Sequence, residues 1–511
     1  MDPGETQDPL LVPMRTTASQ AVPFISTIII VVLIARYLLR RHFNQLRLPP
    51  GPKGWPIIGN LLDLGRNPHL SLTEMAKKYG NVFHIRFSTD LCYVLNDYDS
   101  IKKAFSNDAF SGRIRGTIVD LFTKNYGLIM SDGELWKEHR RFALSTLRDL
   151  GMGKSWLQER ILEEVELMLR TLEDQKSQPY DPEHLVTNSV SNIICAAVFG
   201  KRFNHDDQDF ATLLRLLKQS LKRFGQASPI VLFPSLRFFP YFYQEYRRMK
   251  VEDKIFFDNM EKMIVEARKP LDIVHEEFTT DYVNAFEKEK HKQKESGKLD
   301  STFDMRQLKT SVGNMFVAGT ETSSNTLLMG LLHMVENPDI LAKVQGEIDS
   351  VGGKGEMVRM EHRVRLPYVD ACLLELMRIA AVAPLGVFHR TMENTTLNGY
   401  DLPKNTLVIS NLYAVHHDPQ LWKNPKKFDP TRFIDNAGNF VKSPYVIPFS
   451  LGKRACLGEN LAQMEMFLFF TNLLHKFDLV VPQGTTVSSE NVHVAVTVSP
   501  NPYKLIFRPR F

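Results

Sequence analysis

Phe449-Ser450-Leu451-Gly452-Lys453-Arg454-Ala455-Cys456-Leu457-Gly458 leads straight into a helical pattern that runs to about residue 476. A lone cysteine is most often a small buried hydrophobe. Here the neighbours argue for chemistry. Gly452 permits a tight turn that a Cβ would obstruct. Cys456 stands where the helix is expected to begin, and unpaired N–H groups and the positive dipole end favour an anion there. A thiolate is the expected form, and a thiolate binds metal. Gly458 leaves room for a flat group against the backbone. Arg454 can offer a fork to a carboxylate.

Other stretches carry polar residues in unusual places. Residues 314–335 form one long apolar helical pattern interrupted by Ala318-Gly319-Thr320-Glu321-Thr322-Ser323. A glycine and three hydroxyls are poor helix formers, and the hydroxyls can simply bond back to carbonyls. Glu375-Leu376-Met377-Arg378 has i,i+3 spacing, which by itself means one helical salt bridge. In Trp136-Lys137-Glu138-His139-Arg140, Trp136 and Arg140 share one helix face.

The chain has 511 residues, 43% hydrophobic and 24% charged, enough to bury a large core. No composition break divides it, so one large domain with an N-terminal anchor is expected. A net charge of +5 without a basic, aromatic-laced run excludes a nucleic-acid binder. The cysteines Cys92, Cys195, Cys372 and Cys456 form no Cys-x-x-Cys pair, which fits a reducing compartment. Residues 16–35 carry no charge, and Tyr37-Leu38-Leu39 extends the apolar run, long enough for a tilted transmembrane helix. Arg36, Arg40, Arg41 and Arg47 follow it, so the C-terminal side is expected in the cytosol and Met1 in the lumen. Leu48-Pro49-Pro50-Gly51-Pro52 then reads as a stiff spacer.

Val82–Phe87 and residues 91–95 are β-like, while residues 160–172, 184–198 and 210–224 show helical period. The fold class is mainly α with a minor β part. Residues 287–298 are a mixed charge run expected to be a solvated loop or helix end. Residues 228–246, rich in Phe, Tyr and Pro, read either as a core-facing loop or as an amphipathic lid that dips into a bilayer.

The decapeptide matches Phe-x-x-Gly-x-Arg-x-Cys-x-Gly at every fixed position and so resembles the haem-binding loop of the cytochrome P450 superfamily. The segment 318–322 is similar to that family's Ala/Gly-Gly-x-Glu/Asp-Thr motif, and Glu375-Leu376-Met377-Arg378 to its Glu-x-x-Arg motif. Phe428-Asp429-Pro430-Thr431-Arg432-Phe433 resembles its later Pro-x-Arg-Phe segment, with Thr431 where Glu is common. The resemblance runs from the hinge to the C-terminus, nearest to animal microsomal family 2 enzymes. It implies a cytochrome P450 fold with a luminal tail and anchor at 1–41, a basic flank and proline-rich hinge at 42–53, and a haem-thiolate catalytic domain at 54–511.

The implied cofactor is haem b (iron protoporphyrin IX) on an axial Cys456 thiolate. Arg113, Trp136, Arg140, His389 and Arg454 are implied propionate partners. Small Ala318 and Gly319 would let the helix pass close to the porphyrin. Thr322 would offer its hydroxyl to the reacting oxygen, and Glu321 would bring protons from solvent. Glu375, Arg378 and Arg432 are implied as a structural brace. Ala318, Val382, Ala383, Val387 and Val496 would line an apolar pocket. Pro384-Leu385-Gly386-Val387-Phe388-His389-Arg390 departs from the family in Phe388, where Pro is frequent.

These residues imply a monooxygenase that inserts one atom of O2 into a fatty acid, steroid or xenobiotic. No Gly-x-Gly-x-x-Gly follows a strand, so NADPH-derived electrons must come from a partner. NADPH–cytochrome P450 reductase is expected, with cytochrome b5 as a candidate second partner. Lys137, Arg141, Arg148, Lys442 and Lys453 are the candidate docking residues. The expected place is the endoplasmic reticulum membrane, with the catalytic domain cytosolic. The alternatives are a haem-thiolate isomerase or dehydratase acting on peroxides, against which the Glu321-Thr322 pair argues, and a non-enzymatic membrane haem protein.

Overall fold

The computed structural model describes residues 46–88, 90–150, 155–204, 207–225, 229–268 and 281–511. The expected anchor lies outside them. Among the described residues, no helix is long and apolar enough to cross a membrane.

The helices of eight residues or more are α1 (Pro68–Tyr79), α2 (Tyr98–Phe105), α3 (Gly133–Asp149), α4 (Ser155–Glu173), α5 (Glu183–Phe199), α6 (Gln208–Gly225), α7 (Pro240–Ala267), α8 (Tyr282–Glu295), α9 (Met305–Glu336), α10 (Pro338–Asp349), α11 (Pro367–Ala380) and α12 (Glu459–Lys476). The helical periods expected from sequence fall inside α4, α5, α6 and α9, and the last of them overlaps α12. Helix α9 extends the expected 314–335 in both directions, and Asp304 caps it by accepting from the Gln307 N–H at 2.7 Å. Its 32 residues span about 48 Å. It is buried around most of its circumference, as a helix apolar on all sides must be. Helices α5, α7, α11 and α12 pack around it. Helix α12 brings Phe467, Leu468, Phe469 and Phe470 into the same core, each contributing about 1.5–3 kcal/mol by burial.

The minor β part is a five-stranded sheet in the order β1 (Val82–Phe87), β2 (Asp90–Leu95), β7 (Leu407–Ser410), β4 (His389–Arg390), β3 (Gly112–Arg113). Strands β2 and β7 are parallel and the other pairs antiparallel. Three two-stranded ribbons complete it: β5 (Thr395–Leu397) with β6 (Tyr400–Leu402), β8 (Phe477–Val480) with β11 (Ile506–Pro509), and β9 (Val492–Val494) with β10 (Val498–Pro500). The proline-rich hinge is docked on the sheet. The Pro50 carbonyl accepts from the His84 N–H at 2.9 Å, and the Pro49 carbonyl lies 2.7 Å from His84 Nδ1.

Two expectations are refined. The charge run begins inside α8, where Glu287 pairs with Arg268 at 2.5 Å, so most of it is helix face rather than loop. The 228–246 stretch divides by residue type. Ile230 and Val231 are buried against Ile118 and Met249. Phe238 and Tyr241, by contrast, expose 76% and 82% of their surface, with Phe239 and Tyr243 beside them also exposed.

Candidate active site

The decapeptide folds into a loop closed on itself by backbone bonds. The Cys456 N–H donates to Phe449 O at 2.8 Å and the Ala455 N–H to Gly452 O at 3.1 Å. Gly452 has φ +73°, and a Cβ there would lie 1.9 Å from the Phe105 carbonyl oxygen. Only glycine fits. Gly458 is the N-cap of α12, so the helix starts two residues later than expected. Nothing lies within 4 Å of where its Cβ would be. Cys456 is the exposed member of the four cysteines; the other three are buried. Although the residue reaches solvent, partial desolvation by the surrounding loop pushes its thiol above the usual range, against the Gly458 N–H and nearby Arg140, which favour the anion. The charge of a bound metal would favour the anion further.

Beside this loop the predicted basic residues converge. The Arg454 guanidinium stacks on the Trp136 ring at 3.6 Å, and Arg140 approaches the same ring at 5.9 Å. Arg140 also donates to the Ala455 carbonyl at 2.5 Å, which ties α3 to the cysteine loop. Arg454 donates to Ser111 O at 2.9 Å and Ser131 O at 2.6 Å; Arg113 donates to Ile129 O at 3.0 Å and Val387 O at 3.1 Å. Buried His389 stacks on Phe105 at 3.9 Å, with Nδ1 2.7 Å from Phe110 O. Burial and repulsion by neighbouring guanidiniums depress both, Arg113 beside Arg140 to about 9 and Arg454 beside Arg113 and Arg140 to about 8. The nearest carboxylate, Asp132, is already engaged by Arg115 at 2.8 Å and Arg390 at 2.9 Å. Trp136 Nε1 and Arg454 Nη1 are buried without a hydrogen-bond partner among the described residues. A cluster with surplus positive charge and unspent donors fits a bound dianion with acceptor oxygens, which haem propionates supply. The open side of Gly458 fits the flat ring.

Of the three α9 hydroxyls in the stretch 318–323, Thr322 bonds back to a carbonyl, Ser323 donates to Glu465, and Thr320 Oγ1 is buried without a partner among the described residues. Thr322 Oγ1 donates to Ala318 O at 2.8 Å and Ser324 to Thr320 O at 2.6 Å. The role expected for Gly319 is corrected. Its missing Cβ would meet Ile194 Cδ1 at 2.4 Å, so it admits the close approach of α5. Ala318 is exposed in the middle of a buried helix, which marks an interior space. Glu321 accepts from Asn325 Nδ2 at 3.0 Å, and burial raises its carboxyl above the usual range. The apolar residues expected in the pocket divide. Val387 (41%) and Val496 (46%) are exposed, and Ala383 is half-buried. Val382 is buried in the core; its carbonyl accepts from the Val498 N–H at 2.8 Å and so holds the β9–β10 hairpin. Phe388 packs edge-on against Phe87 at 5.8 Å, which anchors the segment before β4 to the sheet.

The expected brace is present. Glu375 and Arg378 are both fully buried and joined by two bonds, 2.6 and 2.7 Å. Arg432 Nε reaches the same carboxylate at 3.2 Å. Of the docking residues, Lys137 is paired with Glu134 at 2.7 Å and Lys453 with Asp108 at 2.5 Å. Arg141, Arg148 and Lys442 are exposed and have no ion-pair partner among the described residues.

Sequence reasoning missed three groups. Gln307 Oε1 accepts from the Gly127 N–H at 2.9 Å, and Asn314 Oδ1 from those of Leu128 and Ile129 at 2.9 and 3.1 Å. Glu465, inside α12, accepts from Ser323 at 2.8 Å with its other oxygen unpartnered, and burial raises it to about 8. Thr497 lies against Glu321 at 3.3 Å. A buried amide or carboxyl within an apolar helix was the only signal for the first two.

The family model for Cytochrome P450 matches residues 49–507. Cytochrome P450 2C23 of Rattus norvegicus is 38% identical over 95% of this chain and 99% of its own length. Cytochrome P450 2C3 of Oryctolagus cuniculus is 37% identical over 94% and 97%. Cytochrome P450 2U1 of Homo sapiens is 32% identical over 94% and 92%.

Proposed function

The chain belongs to the cytochrome P450 family, and from that premise we propose that it oxidises a hydrophobic small molecule, a fatty acid, steroid or xenobiotic, at the space beside Cys456. The protein is a cytochrome P450 monooxygenase. Its cofactor is haem b with a cysteine thiolate, and O2 and NADPH-derived electrons are its cosubstrates. When bound, the haem supplies an iron that activates dioxygen, with the thiolate pushing electron density toward O–O cleavage.

One observation carries the assignment of the site: surplus buried cations around Trp136 with two unspent donors, beside the exposed Cys456. Cys456 is the proposed iron ligand. Arg113, Trp136, Arg140, His389 and Arg454 would hold the propionates by charge-assisted bonds. Thr322 would turn its hydroxyl from the Ala318 carbonyl toward the reacting oxygen. Glu321, kept protonated to higher pH by burial, would resupply protons. Ala318, Ala383, Val387 and Val496 offer an apolar lining, with Val382 supporting it from behind. Glu375, Arg378 and Arg432 brace the fold and take no part in the chemistry.

The chain has no flavin or nicotinamide motif, which supports NADPH–cytochrome P450 reductase as electron donor and cytochrome b5 as a candidate partner. Arg141, Arg148 and Lys442 offer positive charge for docking. Residues 1–41 would anchor the protein in the endoplasmic reticulum membrane, with 42–53 as hinge and the domain 54–511 cytosolic. The exposed Phe238, Phe239, Tyr241 and Tyr243 suit contact with the same lipid surface.

Product formation from lipid or drug-like substrates should require both NADPH with the reductase and O2. Turnover of a peroxide without either would reject the reading in favour of an isomerase. Thr322→Ala should keep haem binding and divert reducing equivalents to hydrogen peroxide; unchanged coupling removes Thr322 from the relay.

A further inference from the structure

The β9–β10 hairpin ends in the tip Ala495-Val496-Thr497. Strand residues Val494 and Val498 pair across it, and the Ala495 N–H donates to Thr497 O at 2.9 Å. Neighbouring tip residues face opposite ways. Val496 is exposed, whereas Thr497 is buried. The Thr497 hydroxyl lies 3.3 Å from Glu321 Oε1 on α9. That carboxyl has a second donor, Asn325, one turn further along its own helix at 3.0 Å. One partner is therefore fixed to the helix that carries Glu321. The other arrives on a separate element whose exposed tip residue is a candidate substrate contact. We propose that Thr497 is a positioning residue for Glu321, which places one hydrogen bond of the candidate proton donor on the hairpin tip that carries Val496.

The chemistry sets the direction of the effect. A hydroxyl donor favours the carboxylate, because an anion accepts more strongly than a neutral acid. Thr497 and Asn325 both act in that sense, against the larger effect of burial. Of the charged groups that act on Glu321 from neighbouring helices, Lys218 on α6 favours the anion and Glu183 on α5 opposes it. These two are paired with each other, so their effects largely cancel and the Thr497 hydroxyl is left as an adjustable control. At 3.3 Å the contact is at the long end for two oxygens. A tip pressed inward by a bulky substrate shortens it, and one drawn outward breaks it. The seating of substrate on Val496 is then felt as a change in proton affinity at Glu321, with no group shared between the two events.

This inference rests on the reading of Glu321 as a proton donor, and the two can fail separately. The test uses the full chain loaded with haem. The carboxyl stretch of Glu321, identified as the infrared band lost in Glu321→Gln, is titrated in wild type, Thr497→Val and Thr497→Ser. Loss of the hydroxyl should move the midpoint upward by about half a unit to one unit in Thr497→Val. Thr497→Ser, which keeps the hydroxyl, should titrate as wild type does. An unmoved midpoint in Thr497→Val, or an equal shift in Thr497→Ser, overturns the proposal, since a packing role senses size and not the hydroxyl. Failure of the underlying reading shows elsewhere: Glu321→Gln would then leave the peroxide yield of NADPH turnover at the wild-type level.

Discussion

Replacing Gly452 by alanine should damage the cysteine loop through two additive effects. The residue sits at φ +73°, where a Cβ costs about 1–2 kcal/mol. The new Cβ would also stand 1.9 Å from the Phe105 carbonyl oxygen, at the end of α2. Ordinary contact is near 3.4 Å, so loop and helix end must part by more than 1 Å. Overpacking of this kind costs about 1–3 kcal/mol. The sum, about 2–5 kcal/mol, is a large share of the 5–15 kcal/mol that holds a typical protein folded. The chain should still fold, with the displacement passed to Cys456 through the closures at Gly452 and Phe449. Gly458→Ala is the matched control. Its backbone has φ −98° and its Cβ direction is open, so the protein framework should lose less than about 1 kcal/mol. The assay is haem content and the reduced carbon-monoxide spectrum per mole of protein, together with the urea midpoint of haem-free protein. Gly452→Ala should lower all three. Gly458→Ala should lower haem content while leaving the haem-free midpoint near wild type. A Gly452→Ala protein with a wild-type midpoint and full haem would refute the steric reasoning.

Three further outcomes are expected. Glu375→Gln strands Arg378, which is fully buried, beside a neutral partner and should destabilise the fold by about 3–5 kcal/mol, with Arg378→Met added on top recovering part of it in guanidinium unfolding. The Glu465 carboxyl, near 8 when folded against 4.5 ordinarily, binds its proton more tightly in the native state. Its contribution is therefore complete below about pH 4.5 and is lost as pH rises toward 8, and Glu465→Gln should flatten that slope in urea midpoints read across this range. Cys456→Ala should abolish the thiolate signature of the reduced carbon-monoxide spectrum, and an unaltered spectrum would assign the ligand elsewhere.

The parts of the site legible in the sequence were those where local chemistry is unusual on its own terms. Gly452 beside Arg454 and Cys456 demands an odd backbone and a charge. Helical spacing placed Trp136 over Arg140 and Glu375 beside Arg378 before any contact was known. What stayed hidden depended on long-range approach. Gly319 was assigned to the porphyrin because no local pattern reports that Ile194, over a hundred residues away, presses on it. The Asp132 contacts with Arg115 and Arg390 and the Thr497 contact with Glu321 join segments whose neighbourhood only the tertiary fold sets.

Gln307 and Asn314 have a kinetic consequence. Their side-chain oxygens clasp three successive N–H groups, those of Gly127, Leu128 and Ile129, to helix α9. The same segment reaches the cationic cluster, because the carbonyls of Ile129 and Ser131 accept from Arg113 and Arg454. The strand of chain between α9 and the cluster is thus fastened at both margins. Leu128 and Ile129 share the Asn314 oxygen and Gly127 has that of Gln307, but both carboxamides sit on α9, so the segment leaves that helix only when all three bonds open. Solvent exchange of these three amides should then proceed at one shared rate, set by an opening event and not by their individual exposure. That rate is a clock for how often this segment parts from helix α9.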